Sequence, residues 1–294
     1  MRLYNDIIIS GNKAVAKSYA KINLTLDVLS RRENGYHDVC MVMQTINLYD
    51  TVTVVKKNEG IALSISNDEL PTDGRNIAYK AAEIFFNECG INGGAEINID
   101  KNIPIAAGLA GGSSNAAAVI CALNLLYETN LDDDQLIRIG TKLGADVPFC
   151  IIGGTCLCKG IGEEITEIDN DIVADLLIVK PEQGISTAEI YKEIDNHTNL
   201  KHPDTKAMID AVKNGNINEV SALLSNVMES VTINRLPEIN KIKQTMSENG
   251  AIGTLMSGSG PTVYGIFENK NIALTAGKAF ADKYSDIYIT RTYN

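Results

Sequence analysis

The segment from Pro104 to Asn115 combines three glycines with two adjacent serines, and these residue types are suited to binding phosphate. Glycines let backbone amides approach an anion closely, and a helix N-terminus adds unpaired N–H groups and a positive dipole end. The segment follows a strand pattern and precedes an alanine-rich helical pattern. It is therefore predicted to hold a phosphate, with the Ser113 and Ser114 hydroxyls available to a phosphate oxygen or a metal. A glycine-rich turn with a serine N-cap explains the same spacing without a ligand.

Two common nucleotide-binding loops are excluded. The Walker A pattern G-x-x-x-x-G-K-[ST] needs Ser or Thr after Gly-Lys, whereas Gly277-Lys278 is followed by Ala279. No G-x-G-x-x-G follows a strand pattern either. A nucleotide bound by the segment 104–115 would therefore be held by a different scheme.

Two further segments could take part in chemistry. Asp146 is a lone carboxylate between the helix stop at Gly144 and Pro148, and it is either a functional group or a residue that caps a helix or forms a turn. Met256–Thr262 is a second segment rich in glycine and serine, placed between two strand patterns, and a tight hairpin turn would also explain it. Neither segment decides the function alone.

The three segments, at 104–115, around Asp146 and at 256–262, resemble in type and in order the motifs of the GHMP kinase superfamily. That superfamily has a P-x-x-x-G-L-x-x-S-S-A-like phosphate loop and a late glycine-rich motif. Ala16–Leu24, which contains A-K-I-N-L, and Asn34–His37, which ends in G-Y-H, are similar to one branch of that superfamily. That branch phosphorylates 4-diphosphocytidyl-2-C-methyl-D-erythritol. Together with G-A-D-V-P-F and G-S-G-P, the resemblance spans residues 16–265.

The resemblance implies ATP-dependent phosphorylation of the 2-hydroxyl of that substrate, in the non-mevalonate route to isoprenoid precursors, with Mg²⁺ accompanying ATP. Asp146 matches the catalytic aspartate, which takes the proton from the attacking hydroxyl. Lys21 matches the lysine that pairs with this aspartate and offsets developing charge. The fold implied is the two-domain GHMP kinase fold.

The resemblance also assigns binding residues, but no metal ligands. The ATP phosphate loop matches Pro104, Ile105, Ala106, Ala107, Gly108, Leu109, Ala110, Gly111, Gly112, Ser113 and Ser114. Substrate binding matches Asn23, Tyr36, His37, Thr187 and Tyr191. In this assignment the two tyrosines and His37 sandwich and hydrogen-bond the cytosine ring, and Thr187 and Asp146 flank the methylerythritol end.

The phosphate loop departs from the family pattern at three positions. Ala106, Ala107 and Ala110 stand where many relatives are expected to have glycine. Because alanine is strained at a positive φ, these positions are predicted to have negative φ.

Two alternative functions remain open at this point. The chain could be another GHMP kinase of the homoserine or mevalonate type, although such enzymes give no reason for an aromatic pair and a histidine suited to cytosine. It could also be a noncatalytic nucleotide-binding regulator with this fold. The presence of both Lys21 and Asp146 favours an enzyme.

The elements that must position these residues indicate an α+β chain with no internal repeat. Strand patterns occur at Thr51–Val55, Ile61–Ile65, Ala95–Ile99 and Asp175–Val179. Helical patterns run from Asn76 to Gly90, from Ser113 onward, from Asp132 to Leu143, from a Ser186 capping box through Tyr191, and across Pro203–Glu248. We expect an N-terminal domain over 1–160, a C-terminal domain over 161–294, and a ligand site in the cleft between them.

Composition narrows the partners further. The 294 residues are 45% apolar and 21% charged, and 26 basic against 37 acidic side chains leave a net charge of −11. That acidity argues against nucleic acid or an anionic membrane as partner.

The uncharged stretch Ile103–Tyr127 contains a proline and a Gly-Ser-Asn cluster, so it is not a membrane span. Six cysteines without a C-x-x-C pair, and no signal-peptide pattern, predict reduced thiols in a cytoplasmic protein. The polar stretch Asp195–Asp204 is predicted to be a solvated loop.

Overall fold

A computed structural model describes residues 3–197 and 200–294 of the chain. Its Cα packing divides the chain into two compact units, and each unit consists of three segments. Unit 1 comprises Met1–Ala20, Tyr49–Ile103 and Ala110–Gly153. Unit 2 comprises Lys21–Leu48, Pro104–Leu109 and Gly154–Asn294.

The elements below are those of the two described ranges. The strands are β1 (Ile8–Ser10), β2 (Lys13–Arg31), β3 (His37–Lys57), β4 (Gly60–Ile65), β5 (Gly94–Asp100), β6 (Thr155–Lys159), β7 (Glu164–Glu167), β8 (Asp175–Lys180), β9 (Ser225–Asn226), β10 (Gly253–Met256), β11 (Val263–Phe267) and β12 (Asp286–Arg291). The helices are α1 (Ile77–Cys89), α2 (Gly111–Leu126), α3 (Asp133–Thr141), α4 (Val147–Ile152), α5 (Thr187–Ile194), α6 (Thr205–Lys213), α7 (Ile217–Leu223), α8 (Glu229–Arg235), α9 (Glu238–Glu248) and α10 (Lys270–Gly277). Short 3₁₀ turns lie at Leu3–Asp6 and Lys278–Phe280.

Unit 1 packs its four helices α1–α4 beside a sheet of strand order β1-β2-β3-β5-β4. Here β3 pairs antiparallel with β5, and β5 pairs parallel with β4. The helix α2 lies at the centre and is contacted by α1, α3 and α4. Its alanines at 116–118 are fully buried, and such small side chains let neighbouring helices approach closely.

The helix α1 shows how local sequence sets an element of this unit. The Asn76 side chain accepts a hydrogen bond from the Ala78 N–H and so caps the helix start. The buried face includes Ala81, Ala82 and Phe85, which have the i, i+1, i+4 spacing of one helix side. Gly90 ends the helix in the left-handed region at φ 63°.

Unit 2 contains a four-stranded antiparallel sheet of order β10-β11-β8-β12. The helix α9 packs on β10 and β11, and α10 packs on β8 and β12. A second group of strands pairs β3 with β6, β6 with β7, and β2 in parallel with the two-residue β9. The core of the unit includes the fully buried Tyr264 and Ile178, which are direct partners in the register of β11 and β8.

These elements confirm the α+β class and most of the predicted helices and strands. Two predictions differ in detail. The Ser186 side chain forms no capping hydrogen bond although Ser186 occupies the N-cap of α5, so the capping box is wrong there. The sequence also failed to indicate the length of β2 and β3, which run for 19 and 21 residues. Their middle positions are buried on both faces, so the period-2 pattern is lost.

Each compact unit combines segments from different parts of the chain, so the units do not test a division at residue 160. The domains 1–160 and 161–294 therefore remain a prediction. In the described ranges, no helix combines the length and apolar character needed to cross a membrane. Cys121, Cys150, Cys156 and Cys158 are buried, which supports their interpretation as core residues.

We expect Gly90→Ala to lower the free energy of unfolding by about 1 kcal/mol, because alanine at positive φ is strained by roughly that amount. An added Cβ at Gly90 meets no atom within 4 Å, so only the backbone conformation is tested. The measurement is guanidinium denaturation followed by circular dichroism.

The matched control is Gly74→Ala, where the space around an added Cβ is also open but φ is not in the left-handed region. This variant should be neutral or slightly more stable, by up to about 1 kcal/mol. Equal losses in both variants would contradict the role given to the Gly90 backbone.

Candidate active site

Lys21 and Asn23 lie two residues apart on β2, so their side chains leave the same face of the strand. Lys21 Nζ donates a hydrogen bond to Asn23 Oδ1 at 2.7 Å, and the Gly258 N–H donates to the same oxygen at 3.0 Å. Lys21 is 3% exposed and Asn23 is fully buried. The ammonium group is therefore held at one position by a buried amide.

The first half of the predicted phosphate loop, Pro104–Leu109, belongs to unit 2, as do Lys21 and Asn23. It contacts the backbone of Lys21 directly. The Lys21 N–H donates to Leu109 O at 3.1 Å. Ser257 Oγ donates to Gly108 O at 3.0 Å. Gly108 has φ 72°, and an added Cβ would stand 2.3 Å from Ser257 O, so only glycine fits this approach. Three segments that are far apart in the sequence meet here.

The late glycine-rich segment forms the loop of the β10–β11 hairpin, as one of its two interpretations predicted. Asn226 Nδ2 fixes this loop by donating to Met256 O at 2.9 Å and to Gly258 O at 2.8 Å. Tyr264 Oη donates to the Asn23 backbone oxygen at 2.8 Å, and burial raises the pKa of this phenol well above its usual value. The loop is thus both a hairpin turn and a partner of the lysine pair.

Thr187 connects a predicted substrate residue to the same loop. It is the first residue of α5, and its Oγ1 lies 2.7 Å from Ser259 Oγ, within hydrogen-bond distance. Its side chain is exposed on the surface of unit 2, as a ligand contact requires.

The second half of the phosphate loop, Ala110–Ser114, belongs to unit 1 and opens α2. Ser114 is 1% exposed, and its Oγ lies 2.7 Å from Ser18 Oγ. Asn115 Nδ2 donates to Ser18 Oγ and to Asp50 Oδ2, both at 2.8 Å. The hydroxyl of Ser114 is therefore held in place by the buried Ser18, which is itself hydrogen-bonded to Asn115. Ser113, in contrast, is only half-buried.

Asp50 anchors the chain that leads into the loop. It is fully buried and forms an ion pair with Lys101. Its Oδ1 accepts hydrogen bonds from the N–H groups of Asn102 and Ile103 at 2.7 and 2.8 Å. The structure places the Lys101 side chain, which is 7% exposed, against Asp50. Sequence reasoning missed Asp50, because nothing local marks it out in β3.

The backbone of the loop corrects one prediction. Ala106 and Ala110 have φ values of 51° and 56°, so the expectation of negative φ is wrong at both positions. Ala107, which is 3% exposed, is not among the positive-φ residues. Left-handed alanine costs roughly 1–2 kcal/mol. At Ala110 the hydrogen bond from the Ser114 N–H to the Ala110 carbonyl oxygen, at 2.9 Å, begins α2 and contributes to offsetting this cost.

Asp146 stands at the N-cap of α4 in unit 1 and is half-buried. Its side chain makes no capping hydrogen bond, and its φ and ψ of −84° and −13° are helical rather than extended. The interpretation of Asp146 as a helix-capping residue therefore gains no support. Its pairing with Lys21 remains a prediction.

The predicted base-binding residues lie in unit 2. The rings of His37 and Tyr191 are stacked, with centroids 4.7 Å apart and planes at 19°. His37 Nε2 lies 2.6 Å from Asp195 Oδ1. Tyr36 is 58% exposed. The structure brings His37 and Tyr191 together, while the enclosure of cytosine by the two tyrosines remains a prediction.

Sequence reasoning missed Asp195, because Asp195 begins a polar stretch that was predicted to be a solvated loop. Its partner, His37, is 158 positions away in the sequence. The same stretch contains His202, whose Nδ1 lies 2.7 Å from Asp27 Oδ1. Across residues 3–197 and 200–294, no group of three or more His, Cys, Asp or Glu side chains could hold a metal ion.

Comparison with known proteins identifies the family of the chain. The model of the GHMP kinases N terminal domain matches residues 76–154, and that of the GHMP kinases C terminal domain matches residues 208–286. A 4-diphosphocytidyl-2-C-methyl-D-erythritol kinase from Caldicellulosiruptor saccharolyticus is 47% identical over 95% of this chain and 96% of its own length. A kinase of the same name from Clostridium novyi is 46% identical over 94% of this chain and 99% of its own.

Solved structures are also similar. A crystal structure of 4-(cytidine 5'-diphospho)-2C-methyl-D-erythritol kinase has a TM-score of 0.79 and 29% identity, covering 95% of this chain and 99% of that one. A homoserine kinase from Cytophaga hutchinsonii has a TM-score of 0.72 at 16% identity, with 96% of each chain covered, and this likeness shows the fold alone. Because the two family models together match more than half of its residues, and relatives are 46–47% identical over nearly its full length, the chain belongs to the GHMP kinase family and is an ATP-dependent small-molecule kinase.

Proposed function

We propose that the chain transfers the γ-phosphoryl group of ATP to the 2-hydroxyl of 4-diphosphocytidyl-2-C-methyl-D-erythritol, in the non-mevalonate route to isoprenoid precursors. The names of its relatives support the substrate. The observation that carries the chemistry is the buried Lys21 ammonium, which Asn23 Oδ1 holds beside the Gly258 amide. The backbone N–H of the same lysine donates to Leu109 O in the proposed phosphate loop. A cation fixed at the end of a phosphate loop suits phosphoryl transfer.

Phosphoryl transfer depends mainly on positioning and charge stabilisation, because the transferred group needs little covalent help. In this proposal Lys21 offsets charge that develops during transfer, and Asn23 keeps the ammonium from moving away. Asp146 accepts the proton of the attacking hydroxyl. Its carboxylate is compatible with this role, since it is not engaged in capping α4.

MgATP enters this reaction as a substrate. Mg²⁺ in kinase sites is held by one or two protein oxygens together with phosphate oxygens and water, so a dedicated cage of side chains is not needed. The Ser113 and Ser114 hydroxyls and the amides at the start of α2 are oxygens and donors of the right kind for the phosphates and their metal. We propose the full segment Pro104–Ser114 as the ATP phosphate site.

For the substrate, we propose that His37 and Tyr191, already stacked, together with the exposed Tyr36, bind the cytosine ring. Thr187 would flank the methylerythritol end. In the proposed domain division, residues 1–160 carry the phosphate loop with Lys21 and Asp146. Residues 161–294 then carry Thr187, Tyr191 and the late glycine-rich motif.

The direct test is ADP release by the purified chain with each candidate acceptor in turn. The proposal expects turnover with the cytidylyl substrate and little with homoserine, mevalonate or methylerythritol phosphate. Turnover with homoserine or mevalonate instead would assign the chain to another GHMP activity.

Asp146→Asn should lower kcat by about 10²–10⁴-fold, the usual contribution of a general base, while ATP binding stays nearly intact. The amide is close in shape to the carboxylate but cannot accept the hydroxyl proton. Steady-state kinetics and nucleotide titration measure the two effects separately.

A suitable control is Asp134→Asn, which removes an exposed carboxylate from the first turn of α3 and should leave kcat unchanged. If Asp146→Asn keeps more than roughly a third of the activity, Asp146 is a turn residue and the proposed mechanism is wrong.

Gly108→Ala should raise the KM for ATP and lower kcat, by about tenfold or more overall, because the added Cβ would push the loop away from Ser257 O. The matched control is Gly184→Ala, where an added Cβ meets no atom within 4 Å. Both variants are compared by kinetics and by thermal melting. A folded Gly108→Ala enzyme with normal ATP kinetics would remove this contact from the ATP site.

Tyr191→Ala should weaken the cytidylyl substrate by about 5- to 150-fold, the equivalent of the 1–3 kcal/mol that one stacked base contributes. ATP affinity should hardly change. CDP should compete with the acceptor in the wild-type enzyme, and less effectively in this variant. The control Tyr191→Phe keeps the ring and should retain most of the affinity. Competition of CDP against ATP alone would overturn the cytosine site.

A further inference from the structure

The edge of the His37 ring has one engaged and one unengaged nitrogen. The His37 side chain is 7% exposed, and its Nε2 lies 2.6 Å from Asp195 Oδ1. Within the described ranges its Nδ1 makes no hydrogen bond. One face of the ring is covered by Tyr191 at 4.7 Å. The Nδ1 atom is therefore the ring nitrogen still able to form a hydrogen bond with a ligand.

Asp195 is the side chain that faces the Nε2 atom of His37, so it bears on which ring nitrogen carries the proton. It stands at the C-cap of α5, and its second oxygen lies 3.4 Å from Arg31 Nη1. A carboxylate in its ionised form can only accept hydrogen bonds. A neutral imidazole next to this acceptor must place its proton on Nε2, so its Nδ1 presents a lone pair.

A lone pair at Nδ1 distinguishes the two common pyrimidine bases. Cytosine presents an amine donor at N4, whereas uracil presents a carbonyl acceptor at the equivalent O4. An acceptor on the protein therefore pairs with cytosine and faces another acceptor in uracil, which leaves two polar groups unpaired.

We propose that Asp195 is a positioning residue for pyrimidine selection: it holds His37 in the Nε2–H tautomer, so that Nδ1 accepts a hydrogen bond from the cytosine amine and disfavours uracil. This inference rests on the proposed function, since it deepens the base-recognition part of that site. Asp195 itself need not touch the substrate.

The test measures the dissociation constants of CDP and UDP by calorimetry in mildly alkaline buffer, where imidazole is neutral. The wild-type chain should bind CDP about tenfold or more tightly than UDP. Asp195→Asn should reduce this ratio about fivefold or more, because an amide can either donate to Nε2 or accept from it and no longer selects one tautomer. Glu193→Gln is the matched control on the same helix, since Glu193 pairs with Arg235 rather than with His37. It should keep the ratio.

A second readout reports the tautomer of His37 directly in the wild-type chain. The chain has three histidines, so ¹⁵N-histidine NMR resolves few ring signals, and the His37 signals are those that disappear in His37→Gln. The wild-type chain should show the Nε2–H tautomer at His37. A predominant Nδ1–H tautomer would overturn the inference.

The outcomes separate this inference from the proposed function. If wild type binds CDP and Asp195→Asn weakens CDP and UDP equally, or leaves the ratio unchanged, Asp195 has only a structural role and the inference is wrong. If wild type binds neither CDP nor UDP and does not use the cytidylyl substrate, the proposed function fails first.

Discussion

The amide oxygen of Asn23 is the acceptor on which the rest of the lysine cluster depends. It receives the Lys21 ammonium and the Gly258 N–H, two donors that come from opposite ends of the sequence. Both side chains are almost completely buried, and an unpaired charge in such a place would be expensive. The hydrogen bond therefore ties the stability of the β10–β11 loop to the position of the charge that the proposed chemistry uses.

Close backbone approach is the second constraint, and it explains the unusual residues of the phosphate loop. Gly108 and Ser257 come so near that no side chain fits between them. Ala106 and Ala110 accept left-handed backbone in the same loop, at an energetic cost that the surrounding contacts offset. Behind the loop, Asp50 binds the backbone that leads into it. Such rigidity is useful in phosphoryl transfer, since donors fixed in advance need no reorganisation when charge develops.

The group of residues proposed to bind the base differs from the lysine cluster in its exposure to solvent. Tyr36 is exposed, and His37 is buried but has an unengaged ring edge. Aromatic rings supply stacking that tolerates several bases, so selection among bases must come from hydrogen bonds at a ring edge. The carboxylate of Asp195 supplies the direction of that hydrogen bond through His37.

Local sequence was enough to predict the elements whose signals are local. Asn76 and Gly90 bound α1 because a capping amide and a left-handed glycine act on their own neighbours. The family and its kinase activity also followed from motifs alone. Tertiary structure decided the rest: the φ of Ala106 and Ala110, the burial of Lys101 against Asp50, and the pairing of His37 with Asp195. The contacts of Lys101 and His37 each depend on a partner far away in the sequence, whose energy outweighs the local preference of the residue, and neither propensity nor spacing contains that information. The two alanines adopt a positive φ against the ordinary preference of alanine, so the residue type alone predicts the opposite backbone.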